Sequence, residues 1–420
     1  MAHARAPSRL REVRRGQGMS RLPGGVAALA VVHFASSAMM RVCDPMLPAL
    51  AQTFGVTTGR AALTVSSYAI AYGLMQLFFG PLGDRYGKRR LIGFAALGCV
   101  LGNLLALVAV SLEMLVAARF LAGAAAAGII ALVLAWVGDT VSYEDRQAVL
   151  ARFLTLSLGG MIAGQWVSGF LTEQFGWRAV FAVLALVFLV GGLSIALHPD
   201  VRREPVQPHS GQSHFRVILQ VLAVPWARWM LLVVAVEGAF AFSGLAFLPA
   251  YLVRTFGLSL SGAAAVVALY GVGGFFYAFA VRKMVAKLGE SGIALAGGAA
   301  MTFAWLLLAA GGPWTLAMPA CLIGGLGFYM LHGTLQAHAT QMVPTLRGTS
   351  VSLFAMAMFL GIAAGVAAAS AAVDRVGYRP VFLACGLVLG ALGAAFAFSL
   401  RARPLPRGQT LGDTTKTLRP

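Results

Sequence analysis

Four residues near the start of the chain, His33, Ser37, Arg41 and Asp44, follow one another at spacings of four, four and three. On a helix that puts all four on one face. The run around them is apolar, so this face must look into protein or a water-filled cavity, because lipid would not solvate it. Similar stripes recur at Tyr68, Tyr72 and Gln76, and again at Tyr329, His332 and Gln336, while Glu237 sets another ionisable group inside an apolar run. Aromatic walls with a few ionisable groups suit the binding of a small amphiphile coupled to movement of a proton. Asp44 is the leading proton carrier and Glu237 the second. Two readings of Asp44 stay open: held permanently by Arg41 it is a structural salt bridge, and released in one state of the protein it loads and unloads a proton. For Glu237 the alternative is a carboxyl that stays protonated and only fills its place. The seven His residues show no metal-ligand spacing, and no cofactor or metal is expected. Cys43, Cys99, Cys321 and Cys385 are scattered and read as small buried hydrophobes.

The elements that must position these residues are membrane helices. Of 420 residues, 59% are hydrophobic and 11% charged, against about a quarter charged in a soluble domain. Twelve apolar runs lie near 24–44, 62–82, 91–111, 114–138, 150–172, 179–198, 229–252, 262–282, 292–311, 315–338, 349–371 and 379–400. Each reaches the ~20 residues a helix needs to cross ~30 Å of hydrocarbon. The runs are continuously apolar, which excludes the alternation of barrel strands. The net charge of +18 does not mark a nucleic-acid binder, since 25 of the 32 Lys and Arg fall before the first span, in alternate loops or in the final tail. That asymmetry places both termini in the cytoplasm. The opening stretch has Arg residues but no short apolar core with a cleavage site, so no removable signal peptide is expected, and Met19 is an alternative start to Met1.

The chain also repeats itself. "LPALAQTFG" at 47–55 returns as "LPAYLVRTFG" at 248–257, and "FGWRAVF" at 175–181 as "VGYRPVF" at 376–382. Gly160, Gly164 and Ser168 in the fifth span form a small-residue ladder that Gly361, Gly365 and Ala369 repeat 201 positions later. Such ladders let helix backbones approach, either for static packing or for hinging. Two parallel six-helix halves follow, with a binding chamber between them. The expected organisation is a tail over 1–23, a first bundle over 24–198, a linker over 199–228, a second bundle over 229–400 and a tail over 401–420. Where the first copy has Arg41 and Asp44, the second has Phe242 and Leu245; shared residues read as scaffold, unshared ones as chemistry.

Between the second and third spans, "GPLGDRYGKRR" at 80–90 carries Gly80, Leu82, Asp84, Arg85, Gly87, Lys88 and Arg89 in the pattern G-x-L-x-D-R-x-G-R/K-R/K. With this loop the chain resembles the major facilitator superfamily over nearly its whole length, in particular the twelve-helix, proton-driven drug and metabolite efflux branch. The resemblance implies an all-α membrane fold of two pseudo-symmetric bundles, and a cytoplasmic latch formed by the loop with an acidic partner, here Asp139. It also implies that Arg119, in "ARFLAGAAAAG", lies buried near the proton-coupling region; the alternative is that it snorkels to the headgroups. Antiporters of this branch commonly carry GxxxGP in the fifth helix, and this chain has Gln165 in place of the proline, "GMIAGQ", which joins His33 and the two stripes as a candidate for the substrate cavity.

The expected function is therefore secondary transport of a small organic molecule by a monomer in the bacterial inner membrane, as proton-coupled efflux. Import of an organic acid or sugar with protons stays open, because of Arg41, His33 and Gln165. A membrane-embedded enzyme would need paired acidic residues or clustered His, which the sequence lacks, and a scaffold would not need ionisable groups on facing helices.

Overall fold

The computed structural model describes residues 25–199 and 214–402. The expected N-terminal tail, the alternative start, residues 200–213 of the linker and all but the first two residues of the expected C-terminal tail lie outside these residues. The described chain is helical throughout its spans: α1 (Val26–Met39), α2 (Cys43–Phe54), α3 (Thr58–Ala61), α4 (Leu63–Tyr86), α5 (Lys88–Leu107), α6 (Leu112–Thr140), α7 (Tyr143–Phe175), α8 (Trp177–Ala196), α9 (His214–Ala223), α10 (Pro225–Phe256), α11 (Leu260–Ala310), α12 (Ala317–Ala339), α13 (Arg347–Val376) and α14 (Tyr378–Ala402).

Ten of these stretches are long and apolar enough to cross a membrane, and α1 with α2, bent by 53° at their junction, supplies an eleventh. The twelfth is inside α11. Its 51 residues would reach about 76 Å as one rod, more than twice the hydrocarbon thickness. The rod is broken at Gly289, where φ 65° and ψ 173° are non-helical, a conformation that glycine adopts without strain. The twelve expected spans are thus all present. Several boundaries differ from the sequence reading, two of them with a clear cause. The first span does not stop near 44 but continues as α2 to Phe54. The linker closes with α9, and Pro225 opens α10 a few residues early, because proline disfavours helix in the residue before it and suits the first helical position after it.

Within each half, the small-residue ladders hold helices close. A methyl at Gly160 would lie 2.6 Å from the carbonyl oxygen of Phe34, and one at Gly164 would strike Ala38; at Gly361 and Gly365 it would strike Ala235 and Ala239. The ladders therefore pack α7 on α1 and α13 on α10, inside their own halves. All four cysteines are buried and free. Between halves, α4 lies along α13 and α7 along α11. Gly73 brings α4 to Phe359, and Gly169 brings α7 to Leu260 and Ala264. One heptad on from Gly73 along the same face, a methyl at Gly80 would meet nothing within 4 Å, and neither would one at Gly348 near the start of α13. The halves close together at the face away from the termini and part toward the termini.

Candidate functional site

The first span breaks where its chemistry is. Pro45 has no N–H to offer the carbonyl of Arg41, and its ring would clash with that carbonyl in a continuous helix. Residues 40–42 leave the helix and α2 restarts at Cys43. The backbone groups freed in the membrane interior need partners. Arg119 Nη2 donates to the carbonyl of Met39 at 3.1 Å, the Ser168 hydroxyl donates to that of Val42, and Asp44 N–H reaches that of Arg41 at 3.4 Å. A cation at the carboxyl end of α1 and the Asp44 carboxylate in the first turn of α2 also face the favourable ends of the two helix dipoles. Broken helices of this kind are what place ions at the midplane of duplicated transporters.

Arg41 and Asp44 form an ion pair of 2.6 Å, with the carboxylate side chain wholly buried. Arg119 and Gln165 lie beside that carboxylate, and the Arg119 guanidinium rests on the Tyr68 ring at 4.3 Å. Arg119 is buried, not snorkelled. On the other side Arg41 reaches across the interface to lie 4.9 Å over the Phe242 ring, the residue that occupies its own position in the second copy.

The second half carries a different pair. His332 Nδ1 on α12 lies 2.8 Å from Glu237 Oε2 on α10, again with the carboxylate wholly buried. The imidazole stacks on Phe328 at 5.1 Å and faces Phe354 at 5.7 Å. Between the two pairs lies a cavity of about 640 Å³, including space open to solvent, to which Arg41, Tyr68, Tyr329 and His332 bring the polar groups and Met161, Phe242, Met358 and Phe359 much of the apolar wall. The bases line it; the acids stand behind them.

The remaining expected site residues divide. Tyr72 stacks on Tyr68 and against Phe359 at the interface, and Gln76 is buried a turn further along. His33 turns away: its Nε2 lies 2.6 Å from Ser157 Oγ on α7 and its ring meets Phe153. Ser37 donates to the His33 carbonyl, so these two sit inside the first half while Arg41 faces the cavity. Gln336 is exposed and not among the cavity residues.

At the terminal face, Lys88 Nζ joins Asp84 at 2.9 Å and Asp139 at 2.6 Å. Gly87, with φ 90°, makes the turn from α4 to α5, and a side chain at Gly83 would strike Leu132. Arg89 is buried and lies 5.3 Å over Trp136, while Arg85 lies over Tyr86. The loop, its acidic partner and the helix-packing glycine thus come together within one half.

The opposite face holds a feature that the sequence reading missed. Asp374, at the end of α13, accepts from the Thr57 hydroxyl at 2.6 Å and from Gly59 N–H at 3.2 Å at the start of α3. Glu173, at the end of α7, accepts from Ser261 N–H at 2.8 Å at the start of α11. These are the same contact made twice, since Glu173 and Asp374 lie 201 positions apart. The repeat spacing could have found both acids, and Pro45, opposite Ala246 in the second copy, could have flagged the break.

The sequence pattern of the Major Facilitator Superfamily matches residues 29–366. The chain belongs to that family and is a multi-pass membrane transporter, not an enzyme. It is 27% identical over 339 residues to an uncharacterized MFS-type transporter, YceJ, of Bacillus subtilis (strain 168), covering 78% of this chain and 83% of that one. It is 25% identical over 369 residues to a bicyclomycin resistance protein homolog of Haemophilus influenzae, covering 79% and 86%. The crystal structure of the nucleoside transporter NupG has the same fold, with a TM-score of 0.72 at 13% identity over 90% of this chain and 100% of that one.

Proposed function

We propose that this transporter exports a small organic molecule in exchange for protons, by alternating access, as a monomer in the bacterial inner membrane with both termini in the cytoplasm. The observation that carries the reading is the placing of two buried acid–base pairs, Arg41–Asp44 and Glu237–His332, one in each half, on either side of one central cavity. Such groups are expensive in a membrane and mark ion or substrate pathways. Asp44 carries the proton when Arg41 lets it go, with Glu237 as the second carrier. The likeness to a bicyclomycin resistance homolog favours export of a drug-like or metabolite substrate. The bias of Lys and Arg toward the terminal face supports the orientation. In that orientation the parted face opens to the cytoplasm, and Asp84, Lys88 and Asp139, joined within the first half, are the cytoplasmic latch residues.

The decisive experiment is reconstitution in proteoliposomes with an imposed pH gradient and a panel of organic acids, sugars and cationic drugs. Substrate-dependent proton flux is expected; transport of a panel compound that ignores the gradient would refute the coupling. Asp84→Asn is expected to slow cycling without abolishing substrate binding, and unchanged turnover would remove the latch. Proton-coupled import of an organic acid is the second reading, favoured by the presence of Arg41 and His332 rather than their carboxylate partners on the cavity wall.

A further inference from the structure

We infer that the central cavity selects organic anions, or neutral molecules with a strong hydrogen-bond acceptor, carried on a flat apolar body, and disfavours lipophilic cations. The inference rests on the transport reading and specifies its substrate class. Four polar side chains line the cavity, and none of them is acidic: Arg41, Tyr68, Tyr329 and His332. Both nearby carboxylates are sequestered, with Asp44 and Glu237 at 0% exposure and their bases interposed. An amine entering this space meets a fixed guanidinium, with no carboxylate on the wall to offset it.

The residues of the wall also hold unused donors. Arg41 Nε and the Tyr68 hydroxyl are buried, set back from the cavity surface, without a hydrogen-bond partner in the protein. A buried donor left unpaired is costly, and an acceptor on the ligand removes that cost. Arginine has donors only, and its ion pair with Asp44 uses one edge of a fork that can hold a second carboxylate. His332 gives its Nδ1 side to Glu237, which leaves Nε2 for the ligand. Against these donors, Phe242, Phe328, Phe359, Met161 and Met358 form a soft apolar surface suited to a ring or branched chain, Arg41 lying over Phe242 and His332 stacking on Phe328. The donors on both sides of the cavity, with the aromatic and thioether side chains between them, define an amphiphile with its acceptor directed at Arg41.

The test uses three probes of one shape and different charge, naphthoate, naphthamide and naphthylmethylammonium, titrated calorimetrically into the full-length protein in detergent. Naphthoate is expected to bind about ten- to a hundredfold more tightly than naphthamide, the range of one charge-assisted hydrogen bond, with the ammonium weakest. Arg41→Gln is expected to bring naphthoate and naphthamide within about threefold of one another at the strength of a neutral hydrogen bond. Should that variant fail to fold, His332→Gln is expected to weaken naphthoate more than naphthamide. Binding of the ammonium equal to or tighter than naphthoate, persistence of the anion preference in folded Arg41→Gln, or no binding of any probe overturns the inference. Gradient-driven flux of cationic drugs alongside such a result would leave the transport reading standing, whereas absence of flux for every compound in the panel would bring down that reading itself.

Discussion

The first and seventh spans occupy equivalent places in the two halves, yet one is broken and the other is a continuous helix of 32 residues. Their shared proline, Pro48 and Pro249, is tolerated inside α2 and α10 alike. The difference lies in five positions. Pro45, Arg41, Asp44 and the supporting Ser168 and Arg119 of the first copy stand where the second has Ala246, Phe242, Leu245, Ala369 and Ala320. Each change has a physical counterpart: the proline interrupts the ladder, the serine takes up a carbonyl at the interruption, and the charges occupy the ends that the interruption creates. The unbroken span has no such ends, and apolar residues fill it. A duplicated framework thus holds a buried acid–base pair in one copy at a break in a helix, and in the other between two helices, through Glu237 and His332.

That contrast can be broken experimentally. Asp44→Asn is expected to abolish gradient-driven transport in proteoliposomes while the protein still elutes as a folded species; normal transport would remove the first-span pair from the mechanism. Ala246→Pro, which imposes the interruption on the seventh span without its supporting groups, is expected to lower stability by about 3 kcal/mol. Pro45→Ala should cost far less stability, and thermal unfolding of the two variants in detergent compares them. Equal effects would mean that the two spans tolerate proline alike. Ser168→Ala is expected to destabilise by about 1–2 kcal/mol through the unpaired carbonyl. Combined with Pro45→Ala, that loss should shrink, and strict additivity would deny the coupling. The smallest effects belong to Glu173→Gln and Asp374→Asn. Each is expected to raise labelling of a cavity cysteine, Val65→Cys, by an impermeant maleimide from the face away from the termini by about two- to fivefold, the worth of an exposed carboxylate at a helix start. Markedly unequal effects would deny that the two contacts are one motif.

Much of this architecture was legible in the sequence because its causes are local or repeated. Twelve apolar runs and the 201-residue repeat mark the spans and halves, and the loop at 80–90 folds on itself with Asp139. The stripe at His33, Ser37, Arg41 and Asp44 misled for a definite reason. It assumes one straight helix, and a 53° bend between its members sends His33 and Ser37 toward α7 and Arg41 into the cavity. Gln336 fell on a helix face that the interface does not cover. The apolar wall of Phe242, Phe328 and Phe359 could not be singled out among 26 phenylalanines, because which of them meet depends on how α10, α12 and α13 pack within the second half.

The doubled carboxylate contact at the face away from the termini bears on ancestry. In a symmetric pair of identical chains, a contact from residue i to residue j is necessarily accompanied by its reciprocal. Glu173 with the start of α11, and Asp374 with the start of α3, retain that reciprocity within a single polypeptide. A six-helix progenitor able to form this contact would have shut one side of its own homodimer before gene fusion, leaving the middle of the molecule free to become asymmetric afterwards.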